Sequence, residues 1–334
     1  MTRPSLSRRH FTFGVLGTAA VGLVRPVSAR QDDGGPAVVA TFSILGDWVQ
    51  RVGGDRLTLT TIVPAGGDTH TFDPVPEQVG AIAGADLIFE IGLGFETWLD
   101  GMVEASGTGA ARVVVSDGVD VLHFGEDDDH DHAVDEEAEH DHEEEDHDHE
   151  EADHDHGNDD PHIWGDVQNA IIAVGLIRDA LAGIDPDHAG TYEANAAAYI
   201  AELEELDEFI RTETAAIPAD RRKLVTTHDT LGYYAHAYGF EIPGTALGSI
   251  STDTGDPSAQ AMADLVAAIQ ASGAPAIFAE STSNNALMET IAEEAGVALA
   301  PPLYTDALGE PGSDGATYVD MMTANTAVIV DALG

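Results

Sequence analysis

Between Thr191 and Ile217 the chain runs 27 residues without a glycine or proline, and no other feature limits its folding so strongly. Tyr192, Tyr199, Leu203, Leu206 and Ile210 recur at helical spacing, while Glu202, Glu205 and Glu208 fall on the opposite side. One continuous helix of that length extends about 40 Å. A flexible linker would be rich in Gly or Ser, so residues 189–217 are expected to form a stiff strut between two halves.

Each half alternates short β-rich runs with helix-like segments. Val38–Phe42, Leu57–Val63, Asp86–Ile91 and Arg112–Val115 are expected strands, with Ile44–Val52, Pro76–Ala83 and Phe95–Ala105 as helices between them. The second series has Lys223–Thr227, Glu241–Thr245, Ala274–Ala279 and Gly296–Leu299 as strands. Its helices are Thr230–Tyr238, Pro257–Ala271, Asn285–Ala295 and Thr317–Leu333, the second of them opened by Asp256-Pro257 and closed at Gly273. The fold class that follows is α/β: two lobes, each a mostly parallel sheet with flanking helices, joined by one long rigid helix.

Charge excludes whole classes of partner. With 61 Asp+Glu against 13 Lys+Arg, the formal net charge is −48, and nucleic acid and anionic membranes are repelled because phosphate binding needs clustered Lys and Arg. Residues 126–160 hold 21 of the acids and no base, which leaves 40 acidic against 13 basic residues elsewhere. The one lysine is Lys223. Self-repulsion of this size destabilises a compact state unless salt screens it, the pattern of a halophile's protein. The absence of Cys removes disulfides, thiol catalysis and cysteine zinc sites, so a transition metal must rest on His and carboxylates.

Residues 1–29 read as a targeting segment. Ser7-Arg8-Arg9-His10-Phe11 is a twin-arginine pattern, Phe13–Val24 is an apolar run of 12 residues, and Val27-Ser28-Ala29 fits a cleavage site. The expectation is export by the twin-arginine route to an extracellular or cell-surface position, with no cysteine to accept a lipid.

Residues 123–161 form an acidic His-rich loop, expected to be disordered without ligand. It carries four acid-His-Asp-His units, with imidazoles at His130, His132, His140, His142, His147, His149, His154 and His156. Imidazoles two apart among carboxylates offer nitrogen and oxygen donors to divalent metals. None of the units makes His-Glu-x-x-His, the helical pattern of zinc hydrolases. A solvated acidic loop alone would not need His at every second place.

Four further residues stand out by position. His70 lies in the loop after one expected strand, His228 directly follows another, and Asp306 comes soon after Val297–Leu299; His162 closes the acidic loop. In open parallel sheets, ligands bind beyond the carboxyl ends of strands, and with two of these residues in each half they can meet in a cleft.

The segments around them are Gly67-Asp68-Thr69-His70-Thr71-Phe72-Asp73-Pro74, Asp160-Pro161-His162-Ile163-Trp164, Thr227-His228-Asp229 through Tyr233-Tyr234, Ala279-Glu280-Ser281-Thr282, Thr305-Asp306-Ala307-Leu308-Gly309 and Tyr318-Val319-Asp320-Met321-Met322. In that order, along the whole mature chain, they resemble the metal-binding solute receptors of ABC importers, the zinc/manganese cluster. The resemblance implies two α/β lobes, residues 36–188 and 218–334, bridged by one rigid helix over 189–217, with a divalent metal between them. It implies His70, His162, His228 and Asp306 as the ligands, Glu280 as a neighbour that orients a ligand or joins it, and an ABC permease with its ATPase as partners of a monomeric receptor. A His-rich acidic loop just before the second ligand is similar to that of the zinc-specific branch.

Three imidazoles and one carboxylate suit tetrahedral Zn2+, whereas Mn2+ prefers more oxygen and sits lowest in the affinity order. Manganese-selective relatives often have a carboxylate where His228 stands, yet the segment Thr305–Gly309 resembles manganese members as closely as zinc ones. Three functions compete: a Zn2+ receptor, with a Mn2+ receptor of the same family as its variant; a surface metal buffer acting through the His-rich loop; and a zinc hydrolase. The last needs an open coordination position and an aimed general base, and four protein ligands leave none, so no enzyme activity is expected.

Overall fold

A computed structural model describes residues 35–123 and 159–334. The segment 1–29 and the eight histidines from His130 to His156 lie outside the described residues.

The first half reads β1 Ala37–Phe42, α1 Ser43–Gly53, β2 Thr58–Val63, α2 Pro76–Ala83, β3 Leu87–Glu90, α3 Leu99–Ser106 and β4 Ala111–Val114. Its strands make one parallel sheet in the order β2-β1-β3-β4. Central β1 and β3 are buried almost throughout, as expected for strands covered by helices on both faces. Next come α4 Val167–Ile184 and α5 Ala189–Ala215. α5 is the expected strut, 27 residues long. Its buried stripe is Tyr192, Ala196, Tyr199, Leu203, Leu206, Ile210 and Thr214, each three or four residues from the last.

The second half contains α6 Gly232–Tyr238, α7 Ala259–Ser272, β5 Ala276–Glu280, α8 Ala286–Ala295, β6 Ala298–Leu303 and α9 Tyr318–Leu333. β5 and β6 pair in parallel. Alternate side chains of these strands serve different cores: Ala276, Phe278, Ala300 and Leu303 enter the large core, while Ile277 and Leu299 face a small one with Leu265, Ile269, Met288 and Ile291. The large core is continuous from the first sheet through α4 and α5 to Tyr318, Met321, Met322 and Ile329 of α9. Asp207 of α5 fastens this junction, accepting from Gln168 Nε2, Arg211 Nε and Tyr238 OH at 3.0 Å each. α4, α6 and the strut itself thus share one buried carboxylate, which opposes independent movement of the halves.

Four elements differ from the sequence expectations. Lys223–Thr227 and Glu241–Thr245 are not regular strands; they meet in a single parallel bridge, Lys223 with Glu241, and Pro243 and Gly244 (φ 152°) interrupt the pairing there. α7 is capped by Ser258, whose hydroxyl accepts from Ala261 N–H at 3.1 Å, so Asp256-Pro257 lies outside the helix. α4, 18 residues long, was not among the expected helices. It is long and apolar enough to cross a membrane by length and composition, but Val167, Ala170, Ala173, Val174, Ile177 and Leu181 are buried in the large core.

Candidate metal centre

Four loops bring side chains to one point. The loop after β2 carries His70; the turn after residue 161 carries His162; the extended run 223–227 ends at His228; and the chain leaving β6 carries Asp306. One donor atom from each lies within 4.8 Å of all the others. His70 Nε2 is 3.4 Å from His162 Nε2 and 3.5 Å from Asp306 Oδ2, His228 Nε2 is 3.0 Å from Asp306 Oδ2, and His162 Nε2 is 3.7 Å from Asp306 Oδ1. His162, His228 and Asp306 are fully buried, and His70 alone keeps some exposure.

Each of the buried residues spends its outer atom on an orienting partner. Asp160 Oδ1 accepts from His162 N–H at 2.9 Å and from its Nδ1 at 2.7 Å. Glu280, buried at the end of β5, accepts His228 N–H on Oε1 (2.9 Å) and His228 Nδ1 on Oε2 (2.7 Å). Thr230 Oγ1 donates to Asp306 Oδ1 at 2.9 Å. A carboxylate on Nδ1 places the ring proton there and leaves the Nε2 lone pair aimed inward. His228 Nε2 and Asp306 Oδ2 accordingly have no hydrogen-bond partner, although both are buried; their 3.0 Å approach lacks hydrogen-bond alignment. Two unpartnered buried polar atoms at the centre of a donor cluster mark the place of a cation.

Electrostatics agree. Burial penalises a charged His228, but the Asp306 and Glu280 carboxylates outweigh it and hold its pKa well above the ordinary histidine value. Burial likewise opposes ionisation of Asp306, yet His228, His70 and His162 hold its carboxyl well below the ordinary range. Positive charge is favoured at this point, whether a proton or a metal supplies it.

The supporting shell is deeper than the sequence indicated. Trp98 Nε1 donates to Thr69 O (3.0 Å), steadying the loop of His70, and Trp164 Nε1 donates to Thr305 O (2.8 Å), steadying that of Asp306. Tyr233 OH donates to Asp160 O and accepts from Leu122 N–H, both at 3.1 Å. His123, His188 and His236 are not members of the cluster.

Beside the cluster, the turn after β3 runs through Gly92, Leu93 and Gly94 at φ 81°, 54° and 77°, a left-handed stretch that favours Gly. Glu96 anchors it, accepting from Thr41 Oγ1 (2.7 Å), Ile91 N–H (2.8 Å) and Gly92 N–H (3.1 Å). Burial pushes the Glu96 carboxyl from 4.5 up to about 7. Between those values the folded chain holds a proton that the unfolded chain has released, so stability falls as pH rises through that window and levels above it. The expected size is about 3 kcal/mol. In denaturant unfolding at fixed salt, the Glu96→Gln variant should gain on the native chain by that order between pH 4.5 and 8. A difference independent of pH would overturn the assignment.

Similarity to known proteins places the chain in a family. Residues 38–332 match the family model described as "Zinc-uptake complex component A periplasmic". The manganese-binding lipoprotein MntA of Halalkalibacterium halodurans is 34% identical over 324 residues, covering 97% of each chain. The manganese ABC transporter substrate-binding lipoprotein PsaA of Streptococcus pneumoniae is 29% identical over 331 residues, covering 96% of this chain and 98% of its own. Among solved structures, the periplasmic zinc binding protein TroA from Treponema pallidum superposes with a TM-score of 0.74 at 29% identity, covering 90% of this chain and 100% of its own. A two-lobed α/β fold with a donor cluster for a divalent cation, matched along nearly its whole described length, belongs to the metal-binding solute receptors of ABC importers, the zinc-uptake component A family.

Proposed function

We propose that the cargo is Zn2+, held by His70, His162, His228 and Asp306 between lobes 36–188 and 218–334, and that the exported monomer hands it to an ABC permease and its ATPase at the cell surface. The observation that carries this reading is the donor set: three imidazoles and one carboxylate at mutual distances of 3.0–3.7 Å for the measured pairs. A tetrahedral ion with bonds of about 2.0–2.1 Å has ligand–ligand edges of about 3.3 Å. His228 supplies nitrogen where more oxygen would suit Mn2+. Receptors release cargo intact, so four protein donors with no place for a reactive water fit transport rather than hydrolysis.

The names of relatives favour Mn2+ as a second reading, since MntA and PsaA are both described as manganese proteins. Asp306 gives it a structural basis: its second oxygen, Oδ1, is 3.7 Å from His162 Nε2, and a carboxylate that turned both oxygens inward would add a fifth donor.

One titration addresses cargo and site together. His123 and Asp159 form an antiparallel bridge, with His123 Nδ1 and Asp159 Oδ1 2.9 Å apart, and Asp160 N–H donates to Leu122 O at 2.8 Å. The ends of segment 124–158 are therefore adjacent, and a short turn can replace it. Calorimetry on that shortened chain should show one tight Zn2+ site per chain, with Mn2+ bound far more weakly. Tighter Mn2+ binding would select the second reading. Loss of all tight binding would instead assign metal capture to the His-rich segment, as in a surface buffer.

A further inference from the structure

The cluster opens to solvent through a cleft of about 100 Å3. Its walls come from both halves: His70, Leu93 and Thr97 on one side, Ile250, Ser251 and Asp253 on the other. Because His70 is the one cluster residue with any exposure, cargo passes this cleft on its way in or out.

The segment that forms the second wall is held at both ends. At its root, Ala246 N–H and Leu247 N–H donate to Thr226 O (3.0 Å) and Thr227 O (2.8 Å), and Asp229 N–H donates to Ser249 O (2.8 Å), beside His228. Ser249 Oγ and Ser251 Oγ then accept from Ser251 N–H and Asp253 N–H, each at 3.1 Å, curling the chain over the cleft. At the tip, Thr252 Oγ1 donates to Asp68 Oδ2 at 2.7 Å. The other oxygen of that carboxylate, Oδ1, accepts the backbone N–H of His70 at 2.9 Å. A single Asp68 side chain thus ties the loop of the second half to the main chain of a cluster residue in the first. On its far side the His70 loop is pinned to the second half by Gly66 N–H to Leu308 O at 2.9 Å, so the Thr252 bond is the fastening on the side of the cleft.

We infer that Thr252 is a latch: its hydrogen bond to Asp68 holds the 248–255 loop across the mouth beside His70 and sets the rate at which metal exchanges. This rests on the reading of the cluster as the cargo site. A latch that blocks the path slows entry and exit alike, so its loss changes rates far more than affinity, and a residue needed only for folding would not produce that split. The geometry also makes the chemistry specific. Serine preserves the donor, whereas valine keeps the shape of threonine and removes it.

The test is a stopped-flow chase on the full chain loaded with one equivalent of Zn2+, using excess chelator, with association rates measured in parallel. Thr252→Val should release metal about tenfold faster, the effect of losing one hydrogen bond to a charged acceptor, and should also load faster, with the dissociation constant changed much less. Thr252→Ser should return both rates to those of the native chain. Unchanged release from Thr252→Val, or a Thr252→Val chain that no longer binds one equivalent, would overturn the latch. His70→Ala is the separate control: if that variant still binds one equivalent with native affinity, the cargo site is elsewhere, and the failure belongs to the site assignment.

Discussion

Replacing His228 by alanine is expected to weaken Zn2+ binding on the order of 100-fold or more. Four-ligand protein zinc sites carry an apparent binding free energy of roughly 10–16 kcal/mol, so one ligand of four accounts for about 3 kcal/mol, or about two decades of affinity. His228 should cost at least that share, because its removal also frees the partners built around it. Glu280 loses its bond to Nδ1, and Asp306 loses the strongest counter-charge holding it ionised. Both carboxylates are fully buried, and an uncompensated buried charge is expensive, so the variant should also melt at lower temperature. His70→Ala separates the two consequences. Its ring sits at the mouth and contacts no carboxylate except Asp306, so binding should fall comparably while stability changes little. Competition titration with a chromophoric chelator, alongside thermal melts, checks both. Native affinity in either variant would remove that residue from the site.

Transfer to low salt is expected to unfold the chain. Outside the His-rich stretch 126–160 there remain 40 acidic and 13 basic residues, and most of the described basic side chains already have a carboxylate partner. Arg112 lies between Glu90 and Asp100, each at 2.6 Å; Arg51 reaches Asp47 and Glu202; Arg211 holds Asp207; and the one lysine, Lys223, pairs with Glu241. The described arginines without an Asp or Glu partner, Arg56, Arg221 and Arg222, bond to His188 and to main-chain oxygens instead and are too few to offset the surplus of negative charge. At molar salt the Debye length is about 3 Å and charges beyond nearest neighbours are screened; at 0.01 M it is about 30 Å, comparable to the whole domain, and repulsion sums over the surface. Circular dichroism during stepwise dialysis should show helix loss at low salt and recovery when salt is restored. A spectrum unchanged at low salt would contradict adaptation to a saline environment.

Local pattern carried much of this architecture, and its failures are physical. α5 was legible because twenty-seven residues without Gly or Pro, apolar at every third or fourth place, have one good solution. β1 to β4 were legible from β-branched runs closed by turns. The expected strands at 223–227 and 241–245 failed because strand formation depends on a partner in register, and only one bridge forms between them. α4 escaped notice because its apolar residues surround much of the helix, which blurs the periodicity by which amphipathic helices are recognised.

The candidate site divides in the same way. His70, His162, His228 and Asp306 were identifiable because each follows a strand end or closes the acidic loop, within segments that resemble a known family. The partners that fix them were mostly not. Glu280 is 52 residues from His228, Thr230 is 76 from Asp306, and Thr252 is 184 from Asp68, and spacing has no bearing on contacts that long. Asp160 is the exception: two residues before His162, it was open to reading as an orienting carboxylate.

By itself, then, the sequence determined the alternation of strand and helix, the rigid strut and the acidic character, since each rests on local periodicity or composition, while the family resemblance singled out the four residues that cluster. Only the tertiary structure decided which nitrogen of each buried imidazole faces inward, which oxygen of Asp306 stays unpartnered, and which loop closes the mouth. Those depend on lone pairs and protons meeting across distances of about 3 Å between segments far apart in the chain, and such meetings exist only once the chain has packed.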